Sequence, residues 1–442
     1  GDGEEGNIVH IGGLLAGDGE EGNRVTPLPP NIKRYSFFIQ NPEETNKRTA
    51  LAEMHLQRGH QQVYDIKNAH FIWSKWSPRN HFPKLEPWQR YNHMIGRELY
   101  DEKAAFAEGM GRYCSQKHHF KEQMHCSLPY LPYSFLLDNN DHVKAFLKLM
   151  EDAPPKAFVL KASDVNMGKG ITMMGPDSQK LKDLRYTLEN EGTTFNKYSE
   201  KGEFILQEYI CNGLLFENQF KFDLRFHWFV ASIDPLVVLF HDGFGRVSNV
   251  EYTESDFSNF DAHVTNISQN GRAVSWEDVA TNIRRHFTHH EELAYRLGKD
   301  LDPVSHVLNQ MKAILADIIN SFREASFGVG SPLSDNGFNI LALDFYIDND
   351  LDVFLIEPQS QPKLDHTDEA GQAAGRTVAR KFQSDFLDVA VEVTRKQQIL
   401  GHSILPLQNM GNFEVVYDTE SQPNFRFSYE YPRPDKKKGC TI

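Results

Sequence analysis

The sequence predicts a mixed α/β (α+β) protein, and three observations predict it. Short apolar and aromatic runs of strand length recur between Tyr35 and Ile356. Three longer stretches, Trp276–Leu297, Pro303–Ala325 and Thr367–Lys396, carry apolar residues at helical spacing. Between residues 204 and 241, strand-like runs follow one another closely, which requires much antiparallel pairing. The chain has 442 residues, enough for two or three domains or one large composite, with a core that needs no metal or disulfide staples. No run of about 18 apolar residues occurs, so no membrane-spanning helix is expected. Lys and Arg number 47 against 61 Asp and Glu, a net charge of −14, which excludes a dedicated nucleic-acid binder but is compatible with a local basic pocket.

In chain order, residues 1–33 read as a flexible acidic tail. Gly1–Asn7 and Gly17–Asn23 are both GDGEEGN, too acidic and glycine-rich to order themselves. The segment is either a duplication without function or a regulatory or self-modified one. Six acidic residues lie in the two repeats, so the rest of the chain carries about −8. Tyr35–Gln40 and Ala69–Trp73 are short, apolar and aromatic, hence buried strands. Arg97–Gln116 and Asp141–Met150 have helical spacing, separated by loops at Pro129, Pro132 and residues 138–141. Ala157–Leu160, Phe204–Leu206, Leu224–Ala231, Leu236–His241, Ile340–Ile347 and Val353–Ile356 read as strands. After about Val416 the chain becomes rich in Pro, Asn, Ser and charge and reads as an extension. The implied division is 34–150 (N-terminal domain), 151–245 (central), 246–400 (C-terminal) and 401–442 (extension). Four cysteines, Cys114, Cys126, Cys211 and Cys440, form no CxxC pair; they are too few for a disulfide framework and fit a reducing compartment, with a single bridge as the open alternative.

Three clusters carry chemistry. Strand FVLK ends at Lys161 and leads through a small-polar loop to Gly168-Lys169-Gly170. Glycines let backbone N–H groups approach phosphate oxygens, and Lys161 and Lys169 supply charge, although Gly-Lys-Gly also suits an ordinary hairpin. The second cluster begins with Gln207-Glu208-Tyr209-Ile210, a strand edge that can hold an adenine. In the following KFDLR, side chains alternate, so Lys221, Asp223 and Arg225 share one strand face, which is either solvated or lines a polar site. The third is a carboxylate set. A hairpin through residues 348–350 brings Asp344 near Glu357, with Gln359 two residues further on, and such hard oxygens suit Mg²⁺. His286 and His289 have HxxH spacing but read as a solvated helix face rather than a metal site.

In this order, VLKxSxxxxGKGI, LQEYI, FKFDLRFHWFV, GFGRVS, HVTN, LDFYID and FLIEPQSQP resemble the tubulin–tyrosine ligase-like branch of the ATP-grasp ligases, over roughly residues 60–395. The resemblance implies an ATP-grasp fold, with an N-terminal α/β domain and a nucleotide held between central and C-terminal subdomains. It implies an ATP- and Mg²⁺-dependent ligase that activates a carboxylate as an acyl phosphate and joins it to the amine of a free amino acid. The acceptor is then a protein or peptide, tubulin-like in this family, and the location cytoplasmic and cytoskeleton-associated. By resemblance, Lys161 and Lys169 hold phosphates and Gln207 through Ile210 line the adenine pocket together with Lys221 and Asp223. Thr265 and Asn266 lie near ribose and metal, Arg225 and Arg246 face the γ-phosphate and acyl phosphate, and Asp344, Glu357 and Gln359 hold Mg²⁺. Two positions depart from the family: Gln359 stands where Asn is usual, and Glu208 where Lys is common. A carboxylate at 208 leaves adenine recognition to backbone groups. These departures keep two alternatives open, a ligase acting on a non-tubulin peptide and a catalytically weakened ATP-binding interaction protein.

Overall fold

The computed structural model describes residues 35–41, 46–74, 85–94, 100, 102–118, 128–152, 156–162, 170–191, 204–267, 271–326, 336–360, 373–397, 403–420 and 425–426. The acidic repeats, Lys169 and the last sixteen residues lie outside them.

Among the described residues there are three sheets. The first is parallel, in the order β2-β1-β3-β4, built from β1 (Ser36–Ile39), β2 (Gln61–Gln62), β3 (Phe71–Trp73) and β4 (Arg90–Tyr91), with helix α1 (Asn46–Gln57) between its first two strands. Helix α2 (Lys103–His118) follows. The second sheet, in the order β5-β8-β6-β7, is antiparallel and comprises β5 (Ser134–Leu136), β6 (Phe158–Ala162), β7 (Ile171–Met174) and β8 (Phe204–Glu208). Helices α3 (Asn140–Asp152) and α4 (Gln179–Glu191) cover one of its faces, where Phe146, Phe158, Leu181 and Leu206 pack together.

The third sheet has eight strands: β9 (Leu215–Phe216), β10 (Phe220–Ile233), β11 (Leu236–Glu251), β12 (Gly271–Ser275), β13 (Asn339–Ile347), β14 (Val353–Ser360), β15 (Glu414–Asp418) and β16 (Phe425–Arg426). Its spine is β14-β13-β10-β11-β15-β16. Strict alternation along β10 explains its position. Phe222, Leu224, Phe226, Trp228 and Val230 point to one face and join the largest apolar cluster. Helices α6 (Trp276–His289) and α8 (Pro303–Ser326) cover that face with residues such as Ile283, Met311, Ile314 and Ile318, and each phenylalanine buried there is worth about 1.5–3 kcal/mol. The opposite face is divided. At one end Phe229 and Ala231 pack on Phe71, Trp73 and on Phe382 and Phe386 of helix α9 (Ala373–Gln397). At the other end stand Lys221, Asp223 and Arg225.

Several elements differ from the sequence reading. The segment Trp276–Leu297 is two helices, α6 and α7 (Glu291–Leu297), parted at His290, while a short helix, α5 (Phe260–His263), precedes β12. Ser275 starts α6, accepting a hydrogen bond from the Asp278 N–H at 3.1 Å in a capping box. His286 is buried rather than solvated, its Nε2 lying 2.8 Å from the Asn349 carbonyl. The sequence reading does not include helix α4, although its buried Leu181, Leu184 and Leu188 stand at i, i+3 and i+7, the spacing of one helical face. Helix α1 escapes the sequence pattern because its buried face includes Arg48 and His55. Strand β11 does not stop at His241. Gly243 lets it continue, since a Cβ there would lie 2.0 Å from the Arg225 carbonyl oxygen, beside a register shift between Phe226 and His227. The extension contributes β15, paired with β11. Cys114 and Cys211 are both disulfide-bonded, unlike the reduced cysteines expected; sequence spacing does not reveal which thiols come within reach in space. No described helix is long and apolar enough to cross a membrane.

The parallel sheet docks through Arg90. Its buried guanidinium donates to the Ala231 carbonyl at 2.5 Å and the Gly337 carbonyl at 3.0 Å, and also reaches Gln397. Beside it lies a histidine cluster. His55 and His60 face each other through their Nδ1 atoms at 3.0 Å, Tyr35 contacts the His60 and His70 rings, and the Ser36 N–H donates to His70 Nδ1 at 3.1 Å. Burial, with Arg395 adding repulsion, pushes His60 and His70 down to about 4, and burial lowers His55 as well. The native state thus holds these rings neutral while an unfolded chain protonates them near 6.5. Stability is expected to be fully present above about pH 6.5 and to fall as pH drops toward about 4. Urea midpoints across that window check this, and the slope should be shallower in His60→Gln/His70→Gln; an unchanged slope assigns the loss elsewhere.

Candidate functional site

The site is built where four adjacent antiparallel strands present charge on one face. Register pairs Asp223 with Arg246 across β10 and β11, Arg225 with Asp344 across β10 and β13, and Asp344 with Glu357 across β13 and β14. The side chains follow the register. Arg225 binds Asp344 with two hydrogen bonds, 2.8 Å from Nε and 2.7 Å from Nη2. Arg246 binds Asp223 likewise, at 2.6 and 2.7 Å, and donates to Asp344 at 2.8 Å. Thr265 closes the chain, its hydroxyl donating to Asp223 at 2.6 Å. Asn266 follows it, its carbonyl accepting from the Gly271 N–H at 3.1 Å. Burial raises the Asp344 carboxyl, but Arg225 and Arg246 outweigh it and hold the group below its ordinary range. The same pairing overcomes the burial of Arg246 and holds its guanidinium above its ordinary value.

Glu357 is placed differently. Its Oε1 accepts from the Gln359 amide at 2.6 Å, and its Oε2 lies 4.0 Å from Nζ of Lys103. Register sets Asp344 opposite Glu357, with Gln359 bonded to Glu357; carboxylate and amide oxygens are a donor type that fits Mg²⁺, while both Asp344 oxygens are engaged by Arg225 and Arg246. Across the cleft, Lys161 of β6 donates to Gln207 of β8 at 2.7 Å, and the Gln207 amide donates to the Ser134 hydroxyl at 3.1 Å. Burial pushes the Lys161 ammonium down, opposed by Glu357.

Lys221 sits in an aromatic box. Its ammonium lies 3.9 Å from the Tyr346 ring centroid, 4.5 Å from that of Tyr209 and 5.5 Å from that of Tyr252. The Tyr209 hydroxyl lies 2.8 Å from Nδ1 of His263. Burial pushes Lys221 down to about 7, and the Tyr346 hydroxyl is buried without a hydrogen-bond partner among the described residues. A buried ammonium and an orphaned hydroxyl side by side are groups that a polar ligand satisfies. Ile210, just past β8, likewise has a backbone N–H with no partner among the described residues.

The contacts thus bring predicted residues together in groups: Asp223, Arg225, Arg246, Thr265 and Asp344; Glu357 and Gln359; Lys161 and Gln207; and Lys221 with Tyr209; two others stand apart. Lys169 lies outside the described residues. Glu208 projects away from Gln207 and Tyr209, as strand alternation requires, and its carboxylate binds Lys156 at 2.5 Å, both side chains being over nine-tenths buried. The Tyr133 N–H also donates to it, at 3.4 Å. The side chain at 208 is therefore part of a buried ion pair behind the sheet, not of the cleft. Sequence reasoning missed Lys103, Lys156, Tyr252, Tyr346 and His263. Lys103 stands in no motif and reaches Glu357 only because α2 packs beside β14. His263 lay within the quoted HVTN and was there to be found.

Two sheets meeting across a cleft lined by lysines, arginines and paired carboxylates define an ATP-grasp-like architecture. The chain belongs to the tubulin-tyrosine ligase family, whose model matches residues 84–399. It is similar to the mouse "Probable tubulin polyglutamylase TTLL2", 22% identical over 76% of this chain and 58% of that protein. It is also similar to the rat "Protein polyglycylase TTLL10", 24% identical over 66% of this chain and 42% of that protein, and to the human "Inactive polyglycylase TTLL10", 24% identical over 66% and 43%. The chain thus spans about half the length of the curated relatives it matches.

Asp344→Asn leaves two buried guanidiniums without their shared carboxylate. It is expected to lower unfolding free energy by about 3–5 kcal/mol, read from the shift of the urea transition. A loss below about 1 kcal/mol would show that the arginines are solvated instead.

Proposed function

We propose that this chain is an ATP- and Mg²⁺-dependent ligase that forms an amide bond between a free amino acid and a carboxylate of a protein or peptide. The observation that carries the reading is the pair Arg225 and Arg246, each fixed by carboxylates on a buried sheet face opposite Lys161. Phosphoryl transfer needs positioned positive charge more than covalent help from the protein. Two preorganised guanidiniums supply it where negative charge develops on the transferred phosphoryl group and on the acyl phosphate. Lys161 and Lys103 face the same region from two other elements and neutralise phosphate oxygens. Lys221, Tyr209 and the Ile210 N–H receive the base and ribose end, while Thr265 and Asp223 orient the sugar. Asp344, Glu357 and Gln359 hold Mg²⁺, which supplies charge neutralisation between phosphates when bound.

The names of the relatives favour glutamate or glycine as the added amino acid and a tubulin-like acceptor, and a cytoplasmic protein associated with the cytoskeleton accords with that reading. One observation favours a second reading. The Gln359 amide donates to Glu357, engaging the carboxylate that the metal needs, and a weakened enzyme that binds ATP without turnover would follow from that. ADP release with purified protein, Mg²⁺, ATP, mixed amino acids and tubulin separates the two readings. Glu357→Gln is expected to abolish ADP release with an unchanged circular dichroism spectrum, and retained turnover removes Glu357 from the metal site. Lys161→Ala is expected to weaken binding of a non-hydrolysable ATP analogue about 10- to 100-fold by calorimetry, from the loss of one charge-assisted contact. Equal affinity would take Lys161 out of the nucleotide site.

A further inference from the structure

Two non-glycine residues with left-handed backbone mark the place where the two sheets of the cleft are joined. Asn212, with φ 59°, lies in the segment between β8 and β9, two residues after Ile210. Leu351, with φ 61°, lies in the turn between β13 and β14. The Cβ atom disfavours this conformation, more for leucine than for asparagine, and it persists only where the surroundings fix it. Here the turn is fixed from three directions. Leu351 is fully buried in the largest apolar cluster, and Gln310 of α8 donates to its carbonyl at 2.8 Å and accepts from the Val353 N–H at 3.1 Å. The Asp348 carboxylate accepts from the N–H groups of Asp350 and Asp352, each at 2.9 Å. The Asn349 carbonyl, which can only accept, takes a hydrogen bond from Nε2 of His286 on α6 at 2.8 Å.

This anchored turn grips the joining segment. The Asn349 N–H donates to the Asn212 carbonyl at 3.0 Å, and the Asn349 side-chain amide donates to Asn212 Oδ1, also at 3.0 Å. Beyond it, Gly213 forms a bridge with Asp348, and the Leu214 N–H donates to the Ile347 carbonyl at 2.9 Å. A Cβ at Gly213 would lie 1.6 Å from the Tyr346 hydroxyl oxygen, so the segment seats directly on the aromatic box around Lys221. At the other end the Tyr209 N–H donates to the Ala157 carbonyl at 2.8 Å, and Cys211 is disulfide-bonded. Ile210 stands between these anchors, its N–H without a partner among the described residues.

We propose that Asn349 is a positioning residue for nucleotide recognition: through its paired hydrogen bonds with Asn212 it fixes the segment whose Ile210 N–H meets the base. The inference rests on the nucleotide site of the ligase reading above. A backbone N–H can only donate. Adenine offers it an unprotonated ring nitrogen, N1, whereas guanine carries a hydrogen on N1 and accepts only at the neighbouring O6. The two bases therefore need different placements of the same donor, and a segment held in one place selects between them. A loosened segment loses that selection. Asn349 itself touches no nucleotide and acts through Asn212. The buried Leu351, Gln310 and His286 keep its turn from yielding when the segment is pulled.

The test measures binding of non-hydrolysable ATP and GTP analogues to the full chain with Mg²⁺ by calorimetry, without reductant so that the disulfide at Cys211 is kept. Asn349→Ala removes the side-chain hydrogen bond and leaves the backbone one. Asn212→Gly removes the same bond and keeps the left-handed conformation accessible. Each variant is expected to weaken the ATP analogue about three- to tenfold, the loss of one hydrogen bond, and the GTP analogue by less than about twofold. The double variant should bind no more weakly than either single one, because both changes act on one bond. Urea midpoints show that each variant is folded, and if one is not, the other carries the test. Unchanged ATP affinity, an equal loss for both nucleotides, or losses that multiply in the double variant overturn the assignment of Asn349 and leave the ligase reading standing. The expected pattern in a chain that releases no ADP with any amino acid and acceptor supports the assignment and overturns the ligase reading alone. Failure of the unaltered chain to bind either analogue overturns both.

Discussion

The site depends on one chain of buried charge. Thr265, Asp223, Arg246, Asp344 and Arg225 are joined end to end by hydrogen bonds of 2.6–2.8 Å. Each aspartate meets a guanidinium in the two-pronged geometry that fixes both partners. Ion networks in such surroundings bring little net stability compared with apolar packing, because desolvation of each charge offsets the attraction. The other half of the same sheet face is filled by Phe229, Ala231 and Ile340, so apolar side chains fit this sheet well. In the ligase reading proposed above, charge persists in the polar half because a charged ligand is handled there.

The cations that surround this chain come from separate parts of the fold. Lys161 rides on the four-stranded sheet, Lys103 on α2, and Lys221 on the same strand as Asp223 and Arg225. Lys221 is held by aromatic faces, whereas Lys161 is held by the amide of Gln207. These supports are uncharged, while the arginines are held by carboxylates. The eight-stranded sheet therefore carries the carboxylate-held guanidiniums and Lys221, and the four-stranded sheet brings Lys161.

Much of this was legible in the sequence because strand alternation is a local rule. KFDLR told where Lys221, Asp223 and Arg225 point, and the short hairpin after Asp344 told that Glu357 returns beside it. The same rule, applied to LQEYI, would have turned Glu208 away from Gln207 and Tyr209; the resemblance to a motif obscured it. Lys156, which neutralises Glu208, precedes it by 52 residues and no spacing connects them. Lys103 was illegible for a similar reason, since helix α2 meets β14 through tertiary packing alone. Helix α1 hid its buried face behind Arg48 and His55, side chains that periodicity counts as exposed. The split of the long helical stretch at His290 and the continuation of β11 through Gly243 both depend on backbone geometry rather than hydrophobic pattern.

The length of β10 has a mechanical meaning. Its 14 residues extend about 46 Å, from the box around Lys221 to the core shared with the parallel sheet. Along most of that distance it is hydrogen-bonded to β11 on one side and β13 on the other, and it is packed on both faces. A strut clamped on four sides does not flex in the middle. The wall bearing the arginines is therefore the stationary jaw of the cleft. In the ligase reading, any opening to admit a nucleotide falls to the small sheet with its two helices, which joins that jaw through the short connection after β8.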